Sequence, residues 1–379
     1  MGKCKFCDKS DKLISEVLEI CRDCVLNRDW NAVKRHILTV HKNVREMAEL
    51  PEAPPKADDN IKLKCNYCVN ECVLSENDIS YCGLRNVQKN QSGELPFPTK
   101  AKGYLHGYLD PNPTNCCNAW FCPAGTSTGY PEYSNFKGPE FGTYNFAVFL
   151  YGCTFSCLFC QNASHKFFKK KNLFDIETLA TQIVRNENIT CLCYFGGTPE
   201  SQLPFSIALA ELIIEKLEKQ DKKRKIRICW EWNGSGRQDL VEKCMQIAVK
   251  TGGNIKFDLK SFNEKLNIAL CGVSNKRTLN NFKFLAENYF GTRGKDMPEM
   301  SGCTLMVPGY ITHEEVELIA KSISDINPDI PYSLLVFHGD YQMSDLPMTP
   351  RKQAEKCLEV AKKYLSNVNL GNKFLLGYS

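Results

Sequence analysis

Three cysteines on one short loop carry the clearest chemical signal in this chain of 379 residues. Cys153, Cys157 and Cys160 form a C-x3-C-x2-C pattern directly after the apolar run 146–150. Thiolates held this close together suit a cubane iron–sulfur cluster, because such clusters require soft sulfur ligands. A [4Fe–4S] cluster has four irons, so three cysteines leave one iron open to a ligand that does not come from the protein. The alternatives for such a loop are a zinc knuckle and an electron-transfer cluster.

The 21 cysteines of the chain indicate further metal sites. The chain begins with polar residues rather than an apolar leader, and no uninterrupted apolar run approaches the length that a bilayer requires. Without a secretory signal, clustered C-x2-C pairs favour metal binding over disulfides. We therefore expect a cytoplasmic protein in a reducing, oxygen-poor setting, with no membrane contact. The net charge of +5 permits an anionic partner such as RNA but does not require one.

The first 50 residues contain two C-x2-C pairs, which predict a small metal-binding module followed by a helix. Cys4, Cys7, Cys21 and Cys24 supply four thiolates, as in zinc ribbons and rubredoxin-like iron sites, so we expect zinc or iron there. An alternative pairs Cys21 and Cys24 with His36 and His41 in a C2H2-like spacing. It leaves Cys4 and Cys7 without a role, and both histidines fall on a predicted amphipathic helix.

A second cysteine group follows a proline-rich linker at residues 51–61. Its spacing predicts a second structural metal or an auxiliary cluster, and free buried cysteines are the alternative. The members of this group are Cys65, Cys68, Cys72 and Cys82. We expect residues 62–143 to be a cysteine-rich and loop-rich segment that packs on a core formed by residues 144–379. We do not expect a site at three further cysteines of this segment, Cys116, Cys117 and Cys122. The cysteines after Cys160 are scattered singly or on strands, so we expect no C-terminal auxiliary-cluster domain.

The core shows six alternations of a short apolar run with an amphipathic helical pattern. Runs that are apolar throughout are typical of strands buried on both faces, and repeated strand–helix units indicate a parallel sheet with right-handed crossovers. Six units are too few for an eight-unit barrel, so we predict an α/β fold built on a partial (βα)6 barrel. The predicted strands are 146–150, 191–195, 226–232, 255–259, 303–307 and 333–337, and the predicted helices begin near Asp175, Leu203, Asp239, Thr278, His313 and Thr349.

Short motifs follow the predicted strands, at the ends where β/α barrels bind their ligands. Together with the cysteine loop, and with the aromatic Phe159 before its third cysteine, they resemble the radical S-adenosylmethionine (SAM) superfamily. Within it they resemble activating enzymes of the pyruvate formate-lyase type, in an uncharacterised branch with a cysteine-rich N-terminal extension. One position departs from the family pattern, since Thr198 replaces the usual acidic residue. The matching segments are GGTPE at 196–200, EWNG at 231–234, FDLK at 257–260, GVSNKRTL at 272–279, VPGYIT at 307–312 and VFH at 336–338.

The resemblance implies a cofactor and a set of binding residues. In this superfamily SAM chelates the open iron of the [4Fe–4S] cluster, and an electron from the reduced cluster splits SAM to a 5′-deoxyadenosyl radical that abstracts hydrogen from a substrate. The resemblance implies that the Gly196–Gly197 backbone lies near the SAM amino group and that Lys260 pairs with the SAM carboxylate. The other residues that it implies near SAM are Phe159, Asn233, Asp258 and His338.

Three hypotheses for the function remain open at this level. The first is an activase that takes hydrogen from a glycine of a partner protein, with a reducing partner of the ferredoxin or flavodoxin type. The second is radical modification of RNA, another protein or a metabolite that the N-terminal module recognises. The third is non-enzymatic, an iron–sulfur electron carrier or a zinc scaffold, and it predicts no SAM cleavage.

Overall fold

The computed structural model describes residues 1–87, 98–114, 116–167, 169–220 and 224–377. The strands are β1 (Gly2–Lys3), β2 (Ser10–Asp11), β3 (Leu63–Cys65), β4 (Cys72–Leu74), β5 (Lys102–Pro111), β6 (Tyr144–Leu150), β7 (Leu173–Asp175), β8 (Ile189–Gly196), β9 (Arg227–Trp232), β10 (Ile255–Asp258), β11 (Met300–Met306), β12 (Tyr332–Val336) and β13 (Val368–Gly371). The α-helices are α1 (Arg22–Asn27), α2 (Trp30–Glu46), α3 (Pro123–Thr126), α4 (Ile176–Arg185), α5 (Leu203–Glu218), α6 (Gln238–Thr251), α7 (Glu264–Cys271), α8 (Lys276–Tyr289), α9 (His313–Ser324) and α10 (Arg351–Lys362).

One nine-stranded sheet organises the core, in the order β13-β12-β11-β10-β9-β8-β6-β5-β7. Strand β6 and strands β8–β13 pair in parallel, and β5 and β7 extend the sheet through antiparallel pairing. The predicted α/β fold with six strand–helix units is confirmed. The seventh parallel strand, β13, was not predicted, because its sequence VNLG has too few apolar residues to indicate a buried strand.

Local chemistry explains where the helices of the core begin. Asp175 caps α4, since its Oδ1 accepts the backbone N–H groups of Glu177 at 2.9 Å and Thr178 at 3.3 Å. Thr349, near which the last core helix was predicted to begin, does not cap α10, which begins at Arg351. Its hydroxyl instead accepts the N–H of Phe337 at 2.7 Å and donates to the carbonyl of Met306 at 2.8 Å, so it joins the ends of β11 and β12.

Two elements lie where the composition did not indicate them. The stretch expected to be loops contains the ten-residue strand β5, which pairs with β6 over residues 105–111 and with β7 over residues 102–104. Glycines inside β5 lowered its strand signal, yet Gly107 is required there because a Cβ atom would stand 2.7 Å from the ring of Phe146. Helix α7, which ends at Gly272 with φ +74°, was also missed.

The residues between β5 and β6 close the end of the barrel at which the strands begin. The side-chain amide of Asn118 donates to Asn254 at 2.8 Å, and its oxygen accepts the Ser301 hydroxyl at 2.7 Å. The buried carboxylate of Glu140 pairs with the buried guanidinium of Arg227 at 2.9 Å and 2.5 Å. This insert, residues 112–140, therefore forms a floor beneath the barrel and leaves the carboxyl ends of the strands for binding.

The N-terminal residues pack against the barrel through α7 and the loop after β11. His41 of α2 bonds the Ala269 carbonyl at 3.0 Å, and the Tyr310 hydroxyl donates to the Ile20 carbonyl at 2.8 Å. In the described parts of the chain, each helix is too short or too polar to cross a bilayer.

Candidate active site

The C-x3-C-x2-C loop connects β6 to the rest of the barrel and is fixed by backbone hydrogen bonds. The N–H of Ser156 donates to the Cys271 carbonyl at 2.8 Å, and the N–H of Leu158 donates to the Leu270 carbonyl at 2.9 Å. The side-chain amide of Asn233 donates a hydrogen bond to the hydroxyl of Thr154 at 2.8 Å. The loop is therefore positioned by α7 and by the end of β9, two elements that lie more than seventy residues further along the chain.

The three loop thiols are half-buried and face one cavity of about 180 Å³ at the carboxyl ends of the strands. Burial raises the pKa of Cys153, and it raises the pKa of Cys160 to about 11. The pKa of Cys157 is lowered instead, by contact with the Cys271 thiol and, against burial, by the charge of Lys260. A positive charge beside this sulfur favours the thiolate, which is the form that binds metal.

The glycines at the end of β8 bring a second loop into contact with the cysteine loop. A Cβ atom on Gly197 would stand 2.1 Å from the carbonyl oxygen of Gly152, and Gly196 has φ +116°. The thiol of Cys153 lies 3.2 Å from the Gly197 carbonyl. Only glycine allows the two loops to approach this closely, so the backbone of 196–197 lines the cavity directly.

A chain of alternating charges runs along the barrel wall into this cavity. The ammonium of Lys256 lies 2.8 Å from Glu231 and 2.9 Å from Asp258, and the ammonium of Lys260 lies 2.8 Å from the other oxygen of Asp258. Burial alone would raise the pKa of Asp258, but the two lysines outweigh it and hold that pKa at about 2. Asp258 is thus ionised at neutral pH, and Lys260 presents a fixed positive charge to the cavity.

The structure brings most of the predicted SAM-contacting residues to this cavity. Gly196, Gly197, Asn233, Asp258 and Lys260 line it, as does Phe159, whose ring lies 5.9 Å from the Lys260 ammonium. His338 is half-buried and lies outside the cavity lining in the described part of the chain.

Lys166 lines the same cavity and was not predicted to do so. It begins the lysine-rich segment 166–171. The structure buries it, with its ammonium 2.7 Å from the Tyr341 hydroxyl and 4.0 Å from that ring's centre. The sequence feature that could have indicated this burial is the position of Lys166 shortly after the cysteine loop. Lys169 and Lys171, further along the segment, are exposed.

The acidic residue of the GGTPE segment is Glu200. It lies two positions after Thr198, which occupies the place of the acidic residue in the family pattern. Glu200 is fully buried and accepts the hydroxyl of Thr198 and the N–H of Ser235, the latter at 3.0 Å. Burial raises the pKa of Glu200 to about 7. Thr198 and Glu200 together therefore fix the loop that follows β8.

We expect Glu200→Gln to flatten the pH dependence of stability. Because the folded pKa is raised, the stability from Glu200 is fully present below the pKa of the unfolded chain, near 4.5, and is lost as pH rises through about 7. At about 1.4 kcal/mol per pKa unit, the wild type loses up to about 3 kcal/mol over this window relative to the variant. Urea unfolding of both proteins at pH 5 and pH 8 tests this. Parallel pH profiles would contradict it.

The N-terminal cysteine group is brought together as predicted. The sulfurs of Cys4, Cys7, Cys21 and Cys24 all lie within 4.8 Å of one another, which fits one tetrahedral ion. The alternative with histidine ligands is wrong, because His36 bonds the Leu18 carbonyl at 2.8 Å and His41 faces α7. The metal at this site remains a prediction.

The second predicted cysteine group surrounds the buried guanidinium of Arg85. Cys65 and Cys72 pair across the β3–β4 hairpin, and Arg85 lies 3.8 Å from the Cys82 sulfur. The Cys68 sulfur is 3.7 Å from the side-chain amide of Asn70. Among the described residues, only the N-terminal group has three or more ligand atoms within 4.8 Å of one another, so the sulfurs here stand further apart. A metal or cluster at this group remains a prediction.

The cavity fits the cofactors that the resemblance implies. Three thiols on one loop face a space that also contains a fixed cation and a glycine backbone. Ligands of a cubane bind different irons, so they stand further apart than ligands of a single ion. This agrees with the loop sulfurs, which do not converge within 4.8 Å as those of the N-terminal group do.

Comparison with known proteins finds a family match for the part of the chain that contains this site. Residues 147–323 match the Radical SAM superfamily. A putative glycyl-radical enzyme activating enzyme of Methanocaldococcus jannaschii is 25% identical over 229 residues, which cover 59% of this chain and 79% of the relative. The isethionate sulfite-lyase activating enzyme of Desulfovibrio desulfuricans is 28% identical over 144 residues, which cover 38% of this chain and 40% of that enzyme.

Two solved structures were also found. A domain of the pyruvate-formate lyase-activating enzyme from Bacteroides vulgatus matches 48% of this chain and 98% of its own, with 18% identity and a TM-score of 0.35. Streptococcus suis SuiB bound to S-adenosylmethionine matches 58% of this chain and 47% of its own, with 16% identity and a TM-score of 0.40. TM-scores of this size establish nothing by themselves. Residues 147–323 are therefore a region of radical SAM similarity, and the geometry of the candidate site, which lies largely within it, agrees with that match.

Proposed function

We propose that this enzyme binds a [4Fe–4S] cluster through Cys153, Cys157 and Cys160 and binds SAM at the open iron. The observation that carries the proposal is that all three thiols face one cavity together with Lys260 and the Gly197 backbone. When bound, the cluster supplies an electron that cleaves SAM reductively and so provides a 5′-deoxyadenosyl radical for hydrogen abstraction. Because that electron must be delivered, we propose a reducing partner of the ferredoxin or flavodoxin type.

The residues of the cavity have distinct tasks in this proposal. Lys260 uses one N–H for Asp258 and keeps two donors for the carboxylate of SAM. The carbonyl groups of 196–197 accept the SAM amino group. Phe155 and Trp232 line the cavity with apolar surface that excludes water, which protects a radical from quenching.

We expect Lys260→Met to weaken SAM binding about 10- to 100-fold. A charge-assisted hydrogen bond contributes about 1.5–3 kcal/mol, and 1.4 kcal/mol is a factor of ten in affinity. Asp258 keeps Lys256 as a partner, so the barrel wall stays neutralised. Equilibrium dialysis with SAM measures the effect, and Lys321→Met, an exposed lysine on α9, is the matched control. If the two variants bind SAM with equal affinity, Lys260 does not contact SAM.

For the substrate we propose a glycine residue of a partner protein. One relative named above is a putative glycyl-radical enzyme activating enzyme and the other is an isethionate sulfite-lyase activating enzyme, and this proposal extends a glycyl-radical activating role to the present chain. The N-terminal cysteine groups add surface beside the barrel that a partner protein can contact. The alternatives are RNA, another kind of protein site, or a metabolite.

Deuterium transfer separates these substrate classes. The reduced enzyme is incubated with SAM and with protein, RNA or small-molecule fractions from cells grown in deuterated medium. We expect mass spectrometry to find deuterium in 5′-deoxyadenosine only with the protein fraction. We also expect protein labelled with deuterated glycine alone to be sufficient. Transfer only from the RNA or the small-molecule fraction would refute the glycine substrate while leaving SAM cleavage intact.

A further inference from the structure

Cysteines that look unrelated in the sequence meet inside the barrel, below the candidate active site. Two come from the insert that forms the floor, two from β8 and one from β9. They line a cavity of about 30 Å³, here called the floor cavity, and all the strand cysteines among them are buried. These cysteines are Cys116, Cys122, Cys191, Cys193 and Cys229.

Alternation along the strands explains why the sulfurs converge. Side chains two residues apart on a strand point to the same face, so Cys191 and Cys193 both point into the barrel. Leu192 and Tyr194 point outward, and the Tyr194 hydroxyl reaches the Ser206 carbonyl in α5 at 2.9 Å. On the neighbouring strand β9, Cys229 interacts directly with the thiol of Cys193.

Two sulfurs of the floor cavity, those of Cys191 and Cys229, accept hydrogen bonds from nitrogen donors. The guanidinium of Arg227 donates to the Cys191 sulfur at 3.1 Å. The backbone N–H of Asn254 donates to the Cys229 sulfur at 3.4 Å. Neutral thiols are weak acceptors, whereas metal-bound thiolates are commonly held by such surrounding donors. Cys116 differs, because its sulfur contacts the Glu231 carboxylate at 2.8 Å and must donate its proton there.

A polar side chain in the same cavity has no partner. Asn145 lines the floor cavity and is fully buried, and neither its amide nitrogen nor its oxygen has a hydrogen-bond partner among the described residues. A buried amide left unpaired costs about 1–3 kcal/mol, so a native site normally supplies a partner. An unpaired amide beside four sulfurs is explained if a polar or ionic ligand occupies the space.

We propose that Cys122, Cys191, Cys193 and Cys229 bind a thiophilic metal centre inside the barrel. Binding of a single zinc or ferrous ion releases the thiol protons to solvent and forms metal–thiolate bonds with no change of oxidation state, and a cluster that is already assembled binds in the same way. The floor sulfurs stand further apart than those of the N-terminal group. A single zinc or iron ion would draw them together by side-chain rotation, whereas an iron–sulfur centre would bind each sulfur at a different iron. Thiolate ligation is common to both, and metal analysis distinguishes them.

The test compares metal content in two double variants of the full chain. Cys193→Ala/Cys229→Ala removes two proposed ligands, and Cys244→Ala/Cys357→Ala removes two fully buried thiols on α6 and α10 that lie outside the cavity lining. Each protein is reconstituted anaerobically with zinc alone or with iron and sulfide. We expect the first variant to contain at least one metal atom per chain less than the wild type, and the control variant to match the wild type. A loss of zinc identifies a single ion, and a joint loss of iron and acid-labile sulfide identifies a cluster.

The proposal is overturned if both variants bind as much metal as the wild type. If the strand variant does not fold, Cys122→Ala gives the same decision, because Cys122 precedes the short helix α3 of the insert rather than lying in the sheet. This outcome is independent of the proposed function, since metal content is measured without SAM. Loss of metal from the floor variant with unchanged iron at the C-x3-C-x2-C loop, judged by retained SAM cleavage, would separate the two centres.

Discussion

Replacing Cys157 by alanine is expected to remove about four iron atoms per chain and to abolish formation of 5′-deoxyadenosine. A cubane with only two protein ligands loses the geometry that leaves a single iron for SAM. Cys157 is the loop cysteine whose pKa is lowered, by contact with the Cys271 thiol and, against burial, by the charge of Lys260, so its thiolate is the most favoured of the three. Iron analysis and mass spectrometry of the nucleoside measure the two effects on the same reconstituted samples.

The neighbouring Cys271 thiol requires its own control. It contacts Cys157 and is fully buried, so it is positioned to replace the missing ligand. The Cys157→Ala/Cys271→Ala protein removes this rescue, and Cys244→Ala controls for the loss of a buried thiol elsewhere. Full iron content and normal nucleoside formation in the double variant would show that this loop binds no cluster.

The second large effect is expected for Glu140→Gln, which we predict to lower the free energy of unfolding by about 3–5 kcal/mol. Glu140 and Arg227 form a fully buried, two-hydrogen-bond ion pair between the insert and β9. Removing one charge leaves the other buried without compensation, which is the costly case for such pairs. Burial raises the pKa of Glu140, but Arg227 outweighs it and keeps the carboxylate ionised.

Anaerobic urea denaturation measures this change in stability. Glu218→Gln is the matched control, because Glu218 pairs with Lys250 at a similar distance of 2.9 Å but on the exposed surface. An exposed pair contributes little, so the control should be close to the wild type. If the two variants unfold at the same urea concentration, the floor insert is not held by this ion pair.

The core of the fold was predictable because its signals are local. Each buried parallel strand is an apolar run, and Asp175 marks the start of α4 by its own side chain. The cysteine loop and Asp258 with Lys260 lie at strand ends, so chain order alone was enough to place them near one site. Elements without such signals were missed, above all β5, whose two internal glycines are explained only by the neighbours that they face.

The floor of the barrel could not be predicted for a related reason. Cys122, Cys191 and Cys229 are far apart in the sequence, and nothing in their spacing resembles a metal-binding motif. Parallel pairing of β8 with β9 places two of them side by side, and the insert brings the third from outside the sheet. Lys166 is similar, since its burial against Tyr341 depends on a loop 175 residues away.

The most direct test of the radical SAM proposal is SAM cleavage by the wild-type protein. The chain is reconstituted anaerobically with iron and sulfide, reduced and given SAM, and 5′-deoxyadenosine is quantified over time with and without reductant. The proposal predicts nucleoside that accumulates only in the reduced sample. Absence of nucleoside from a protein that carries a complete and reduced cluster would contradict it and would favour an iron–sulfur electron carrier.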